Sequence, residues 1–126
     1  MNPRAIKAKG RDAENAIVAF IRAHGWPHAE RRRLTGILDR GDITGVADVV
    51  IESKSGAVIK LSEWLRETEK ERINDGATYG ALVIKLKGVG DTRAHEWPVM
   101  LPLGQFVRLL RESGRGLPLE QEENDA

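Results

Sequence analysis

GDITGVADVVIESK, residues 41–54, is the stretch whose reading decides the fold. It holds an acid, Asp42, between glycines, then the apolar run Val49, Val50 and Ile51, then Glu52, Ser53 and Lys54. Read as a strand, the run alternates its side chains, so Glu52 and Lys54 share one face while Ile51 and Ser53 take the other. A carboxylate and an ammonium therefore occupy one patch. Asp42 lies ten residues before Glu52 with Gly45 between them, and a bend or short hairpin there brings its carboxylate back beside Glu52. Asp48 has the same parity as Glu52, but four residues of extended chain span about 13 Å, too far for both to reach one cation. Asp48 and Asp39 read as turn residues.

Two converging carboxylates suit a hard divalent cation, Mg²⁺ or Mn²⁺, which takes oxygen ligands and is usually held by one or two protein carboxylates plus substrate phosphate. Asp42 and Glu52 are the candidate ligands, with the carbonyl oxygen of Ser53 a further one. Phosphodiester hydrolysis needs little more, because such a cation activates water and offsets charge developing on phosphorus, and Lys54 can orient the attacking water.

Asp42, the apolar strand and the closing Glu52-Ser53-Lys54 resemble the PD-(D/E)XK nuclease signature. The surrounding order, over roughly residues 9–110, is similar to Holliday-junction resolvases, particularly small phage-encoded ones. The sequence departs from the pattern in having Gly41 where proline precedes the acid, and in the additional acid Asp48. The resemblance implies a restriction-endonuclease-like α/β core, a mixed central sheet flanked by helices in the order α-β-β-β-α-β-β-α, and a metal-dependent endonuclease acting on DNA, branched DNA above all. It also implies that an acid from the first helix joins the metal site, the position that Glu14 matches. Other nicking, repair or restriction-type nucleases share this chemistry, and a DNA-binding module that keeps the fold without cutting is the reading from another class. The joint presence of Asp42, Glu52 and Lys54 speaks against the last.

The outer bounds agree with one small domain. A chain of 126 residues, 40% of them apolar, builds one core and no second. Without cysteine there is no disulfide, thiolate metal site or cysteine nucleophile. No apolar run reaches the ~18 residues of a membrane span, and the N-terminus lacks the apolar core of a signal peptide, so a cytoplasmic protein is expected, within the bacterial host cell if phage-encoded. The net charge of +1 is unevenly spread: residues 1–40 carry nine Lys/Arg against four Asp/Glu, while Glu120, Glu122, Glu123 and Asp125 crowd the end. A basic front end facing a polyanion follows.

Residues 1–9 read as a flexible basic arm, residues 10–113 as the nuclease domain, and residues 114–126 as an acidic, disordered tail. Within the arm and just beyond it, Lys9 and Arg11 are candidate DNA contacts, against the alternative of a frayed terminus. Residues 10–24 read as a helix with Ile17, Val18, Phe20 and Ile21 at helical spacing. Glu14 belongs to the same stripe, since 14, 17, 18 and 21 fall at i, i+3, i+4 and i+7. It is either an inward acid that needs a partner or a helix-end carboxylate favoured by the dipole. Residues 28–34 read as a first strand whose Arg31, Arg32 and Arg33 place cations on both faces, as solvated surface or as phosphate contacts. The glycine-rich residues 35–45 present Asp42.

After the central strand, residues 57–61 read as a short apolar strand and residues 63–75 as a helix, with Ser62 as its N-cap and Gly76 at its end. The helix's thin stripe of Leu61, Trp64, Leu65 and Thr68 places it on a surface with solvated charges. Residues 79–87 form the next strand, Lys85 standing near its end as a further candidate phosphate contact. Residues 88–96 read as a mobile loop and residues 97–101 as an edge strand. Leu103, Phe106, Val107 and Leu110 read as the inward face of a closing helix to Glu112. The three histidines lack ligand spacing, and no nucleotide-binding glycine motif is present. A homodimer is expected because one such site cuts one strand and symmetric resolution of a junction needs two. Trp64 with Leu65, or Trp97, are its candidate anchors.

Overall fold

A computed structural model describes residues 3–32, 40–56 and 58–119, and in the first helix the side chains of residues 3 and 6–8 lie outside the description. The chain runs α1 (Pro3–Ala23), β1 (Glu30–Arg31), β2 (Ile43–Thr44), β3 (Val49–Lys54), α2 (Leu61–Asp75), β4 (Tyr79–Ile84), a 3₁₀ segment (Asp91–Glu96), β5 (Val99–Met100) and α3 (Leu103–Glu112). The five strands form one open mixed sheet in the order β1-β2-β3-β4-β5, antiparallel except for β3 beside β4. That parallel pair is joined through α2, as a parallel pair requires a long crossover. The protein is therefore α/β, and none of its described helices is long and apolar enough to cross a membrane.

Both faces of the sheet are covered, which is why residues 81–84 read as a continuous apolar run. On one face Ala13, Ile17 and Val18 of α1 pack with Ile43, Ile51, Val83 and Trp97. On the other, Trp64 of α2 packs with Leu82 and Ile84. Alternation along β3 sends Ile51 to the α1 layer and Val50, Glu52 and Lys54 to the α2 layer.

Several sequence expectations are corrected. Helix α1 starts at Pro3, so residues 3–9 form its first turns and not a loose arm. Residues 58–61 carry no strand; the strand beside β3 is Ile43–Thr44, which the glycine-rich reading of residues 35–45 had absorbed into a connection. The first strand is Glu30–Arg31, shorter than residues 28–34, and residues 33–39, with Arg33 and Asp39, lie outside the described residues, as do 120–126 of the tail. Lys60, not Ser62, occupies the N-cap of α2 and makes no side-chain cap, while Gly76 closes the helix at φ 70° as expected. Residues 91–96 form a 3₁₀ segment because Trp97, 4% exposed, pins them: its indole Nε1 donates to the Val89 carbonyl at 2.9 Å. Trp64 and Trp97 are both core residues, unavailable as dimer anchors.

Gly45 follows β2 at φ 93°, where a side chain is strained, and a Cβ there would run into the His28 carbonyl and approach the Ala29 Cα to 2.8 Å. Backbone on that side cannot move as a side chain can. Gly45→Ala is expected to cost about 2–4 kcal/mol of stability, read by urea denaturation. An unchanged midpoint would mean that β1 is not seated against this turn.

Candidate active site

The register Ile43↔Ile51 fixes the site, because one step from it lie Asp42, just before β2, and Glu52 in β3. Asp42 is held there by three bonds. Its N–H donates to the Ile51 carbonyl at 3.0 Å, its carbonyl accepts from the Arg32 N–H at 2.7 Å, and its Oδ2 accepts from the Ser53 N–H at 2.8 Å. Ser53 lies inside β3, where the N–H and C=O of one residue leave by the same edge, so its carbonyl faces the Asp42 side, whereas Asp42, just before β2, sends its N–H and C=O to opposite neighbours. Gly41 adopts φ 96°, which proline, fixed near −65°, cannot reach, and a Cβ would lie 2.7 Å from Val50 Cγ1. The departure from the nuclease pattern at this position has a local steric reason.

Glu52 is only 4% exposed. Its carboxyl lies within hydrogen-bond reach of Asp42 and of Glu71, the latter on α2 and also 4% exposed. Burial first, then those two hydrogen bonds and the two neighbouring charges, push the Glu52 carboxyl up to about 12. At neutral pH Glu52 of the cation-free protein therefore keeps its proton, since a carboxyl so deeply buried beside other acids resists ionisation. A divalent cation would supply the missing positive charge in the proton's stead. The donor set is all oxygen, with two carboxylates and a carbonyl from adjoining strands, and fits Mg²⁺ or Mn²⁺. Among the described residues no three acid or histidine side chains form a ready-made cage, so water and phosphate oxygens would complete any such shell.

Lys54 points into the same layer and its Nζ lies 2.7 Å from Glu67 Oε2. Burial works against its charge, but the hydrogen bond to Glu67 and the charges of Glu52, Glu67 and Asp42 hold the ammonium above its ordinary value. Glu14 comes from α1 and stands near enough to Asp42 to feel its charge. Burial and then Asp42 raise its carboxyl, against the opposing pull of Arg31, whose Nε donates to Glu14 Oε2 at 2.9 Å. The helix-end reading fails, because Glu14 lies well inside α1, but Asp42 lies between it and Glu52 in the chain of interactions.

The basic residues are mostly engaged. Arg31 holds Glu14, Arg32 approaches Asp75 at 3.6 Å, and Lys85 is bound to Asp91 at 2.7 Å with its Nζ over the Trp97 ring. Lys9 and Arg11 are exposed on α1. Asp48 takes the role of a turn residue: it sits at φ 66° and its Oδ1 accepts from the Thr78 N–H at 2.8 Å.

Glu67 and Glu71 are the site residues that sequence reading missed. The charges of α2 read as solvated, yet extending its stripe by one step, from Trp64 and Thr68 to position 71, lands on Glu71. A carboxylate on an inward stripe is the same signal that singled out Glu14. No family model, curated protein or solved structure matches this chain, so the chemistry has to be argued from these residues.

Proposed function

We propose that this protein is a metal-dependent endonuclease that hydrolyses DNA phosphodiesters, with a restriction-endonuclease-like core and branched DNA, a four-way junction, as its best substrate. The observation that carries the reading is the meeting of the Asp42 carboxyl, just before β2, with that of Glu52 in β3, with Lys54 two residues further along the same face. Asp42, Glu52 and the Ser53 carbonyl would hold Mg²⁺ or Mn²⁺. When bound, the cation supplies Lewis-acid polarisation of the phosphate and activation of water.

The chain's own groups do the rest. Lys54, anchored by Glu67, presents an ammonium to the attacking water and the phosphate oxygens. The water oxygen bonds to phosphorus and gives up a proton to solvent, the bond to the leaving oxygen breaks, and that oxygen takes a proton from solvent. Glu71 keeps Glu52 in place from the α2 side, and Glu14 acts through Asp42 as an outer acid. Arg31 and Arg32 at β1, with Lys9 and Arg11 on α1, would contact the DNA backbone. Symmetric cutting of a junction calls for two such sites, hence a pair of chains.

The test is incubation of the purified chain with a synthetic four-way junction and with matching linear duplex, each with Mg²⁺ or with EDTA. Cleavage of the junction with Mg²⁺ alone is expected. Cleavage of duplex and junction alike would move the assignment to a general nuclease, and binding without any cleavage would move it to a non-cutting DNA-binding protein.

A further inference from the structure

Helix α3 is attached to the protein by its polar side. Gln105 Oε1 accepts from the Gly80 N–H at 2.8 Å and its Nε2 donates to Glu69 Oε1 at 2.8 Å, while the charges of Arg108 and Glu112 act on Asp48 and Tyr79. Positions 105, 108 and 112 share one helical face, and that face is turned to the body. The opposite face carries Leu103, Phe106, Val107 and Leu110, which periodicity assigned to the core. Among the described residues no side chain of α3 is buried: Leu103 is 76% exposed, Phe106 45% and Val107 46%. A surface helix normally does the reverse, burying its apolar stripe and wetting its polar one.

We infer that this outward stripe of α3 is the two-fold interface between two copies of the chain. An isologous contact needs a self-complementary patch. The stripe has that property: an axis midway between Phe106 and Val107 sets Leu103 of one antiparallel helix against Leu110 of the other, and brings Phe106 beside Phe106 and Val107 beside Val107 on either side of the axis. Arg111 donates to the Leu117 carbonyl at 3.2 Å and so keeps Leu117, 86% exposed, beside the same end of the helix. Together with Leu117 the stripe leaves on the order of 400–500 Å² of apolar surface in water, as large as the largest patch of a typical monomer. A stable dimer removes about 800 Å² from each partner, somewhat over half of it apolar, so the patch supplies the apolar part of one interface.

The inference stands on α3 and not on the metal site, so the two can fail separately. Light scattering and sedimentation of the full chain across the micromolar range should give twice the chain mass. Phe106→Glu would place two like charges across the axis and should raise the dissociation constant at least about a hundredfold, with an unchanged circular dichroism spectrum because the residue is exposed in the single chain. Since the chain has no cysteine, Val107→Cys should cross-link two copies under mild oxidation while Val58→Cys, exposed elsewhere, should not. A wild-type monomer at every concentration overturns the inference and assigns the stripe to another partner. So does a dimer that survives Phe106→Glu and leaves Val107→Cys uncross-linked. A dimer without nuclease activity would keep this interface and remove the proposed function; a monomeric nuclease would do the opposite.

Discussion

Glu52→Gln is expected to abolish Mg²⁺-dependent cleavage, by a thousandfold or more on the scale of lost electrostatic stabilisation, and at the same time to make the cation-free protein more stable. The two effects have one cause. The carboxyl is buried against Asp42 and Glu71, which hold it up to about 12 in the folded chain, while in the unfolded chain it titrates near 4.3. A folded value above the unfolded one contributes stability that is complete below the unfolded value and is lost as pH rises toward the folded one. Around pH 7 the native state is therefore disfavoured, by up to roughly 3–4 kcal/mol if the proton is fully retained, and an uncharged amide of the same shape relieves most of that cost. Urea denaturation in EDTA should show wild-type stability falling from pH 5 to pH 8 and the Glu52→Gln protein nearly level. Added Mg²⁺ or Mn²⁺ should stabilise wild type at the upper end of that range and leave the mutant unmoved. Normal turnover by the purified mutant, or a mutant less stable than wild type in EDTA, would remove Glu52 from the site.

Lys54→Ala carries the second large effect, a loss of cleavage rate of about a hundred- to a thousandfold with cation affinity nearly unchanged. Lys54 donates to Glu67 at 2.7 Å and feels the charges of Glu52 and Asp42, so it is a cation placed beside the carboxylates and not a ligand. Removing it leaves Asp42, Glu52 and the Ser53 carbonyl where they are. Mn²⁺ binding by calorimetry should separate this variant from Glu52→Gln, which loses binding and rate together. Glu67→Gln should fall between wild type and Lys54→Ala, because it loosens the ammonium without removing it. Equal loss of cation binding in Lys54→Ala and Glu52→Gln would mean that the lysine organises the acids and has no separate part in the reaction.

Local pattern was enough to settle much of this protein. The alternation of residues 49–54 put Glu52 and Lys54 on one face, the glycines around Asp42 returned that acid to β3, and the spacing of Ile17 and Val18 fixed the inward side of α1. Each depends on a period of 2 or 3.6 residues, which is written in the order of residues along a few turns of chain. What lay beyond that reach was decided by packing. Glu71 became a site residue only because α2 crosses the face of β3 that carries Glu52, and the raised Glu52 carboxyl arises from burial and then from Asp42, ten positions away, and Glu71, on another element. Arg31 and Lys85 looked like exposed cations until the fold set Glu14 and Asp91 against them. The stripe of α3 is the clearest division between the two. Its amphipathic spacing was legible as sequence and named Leu103, Phe106, Val107 and Leu110 correctly as one face. Whether that face turned in or out depended on where Gln105 found Gly80 and Glu69, because periodicity states that a helix has two sides and only its neighbours determine which one is covered.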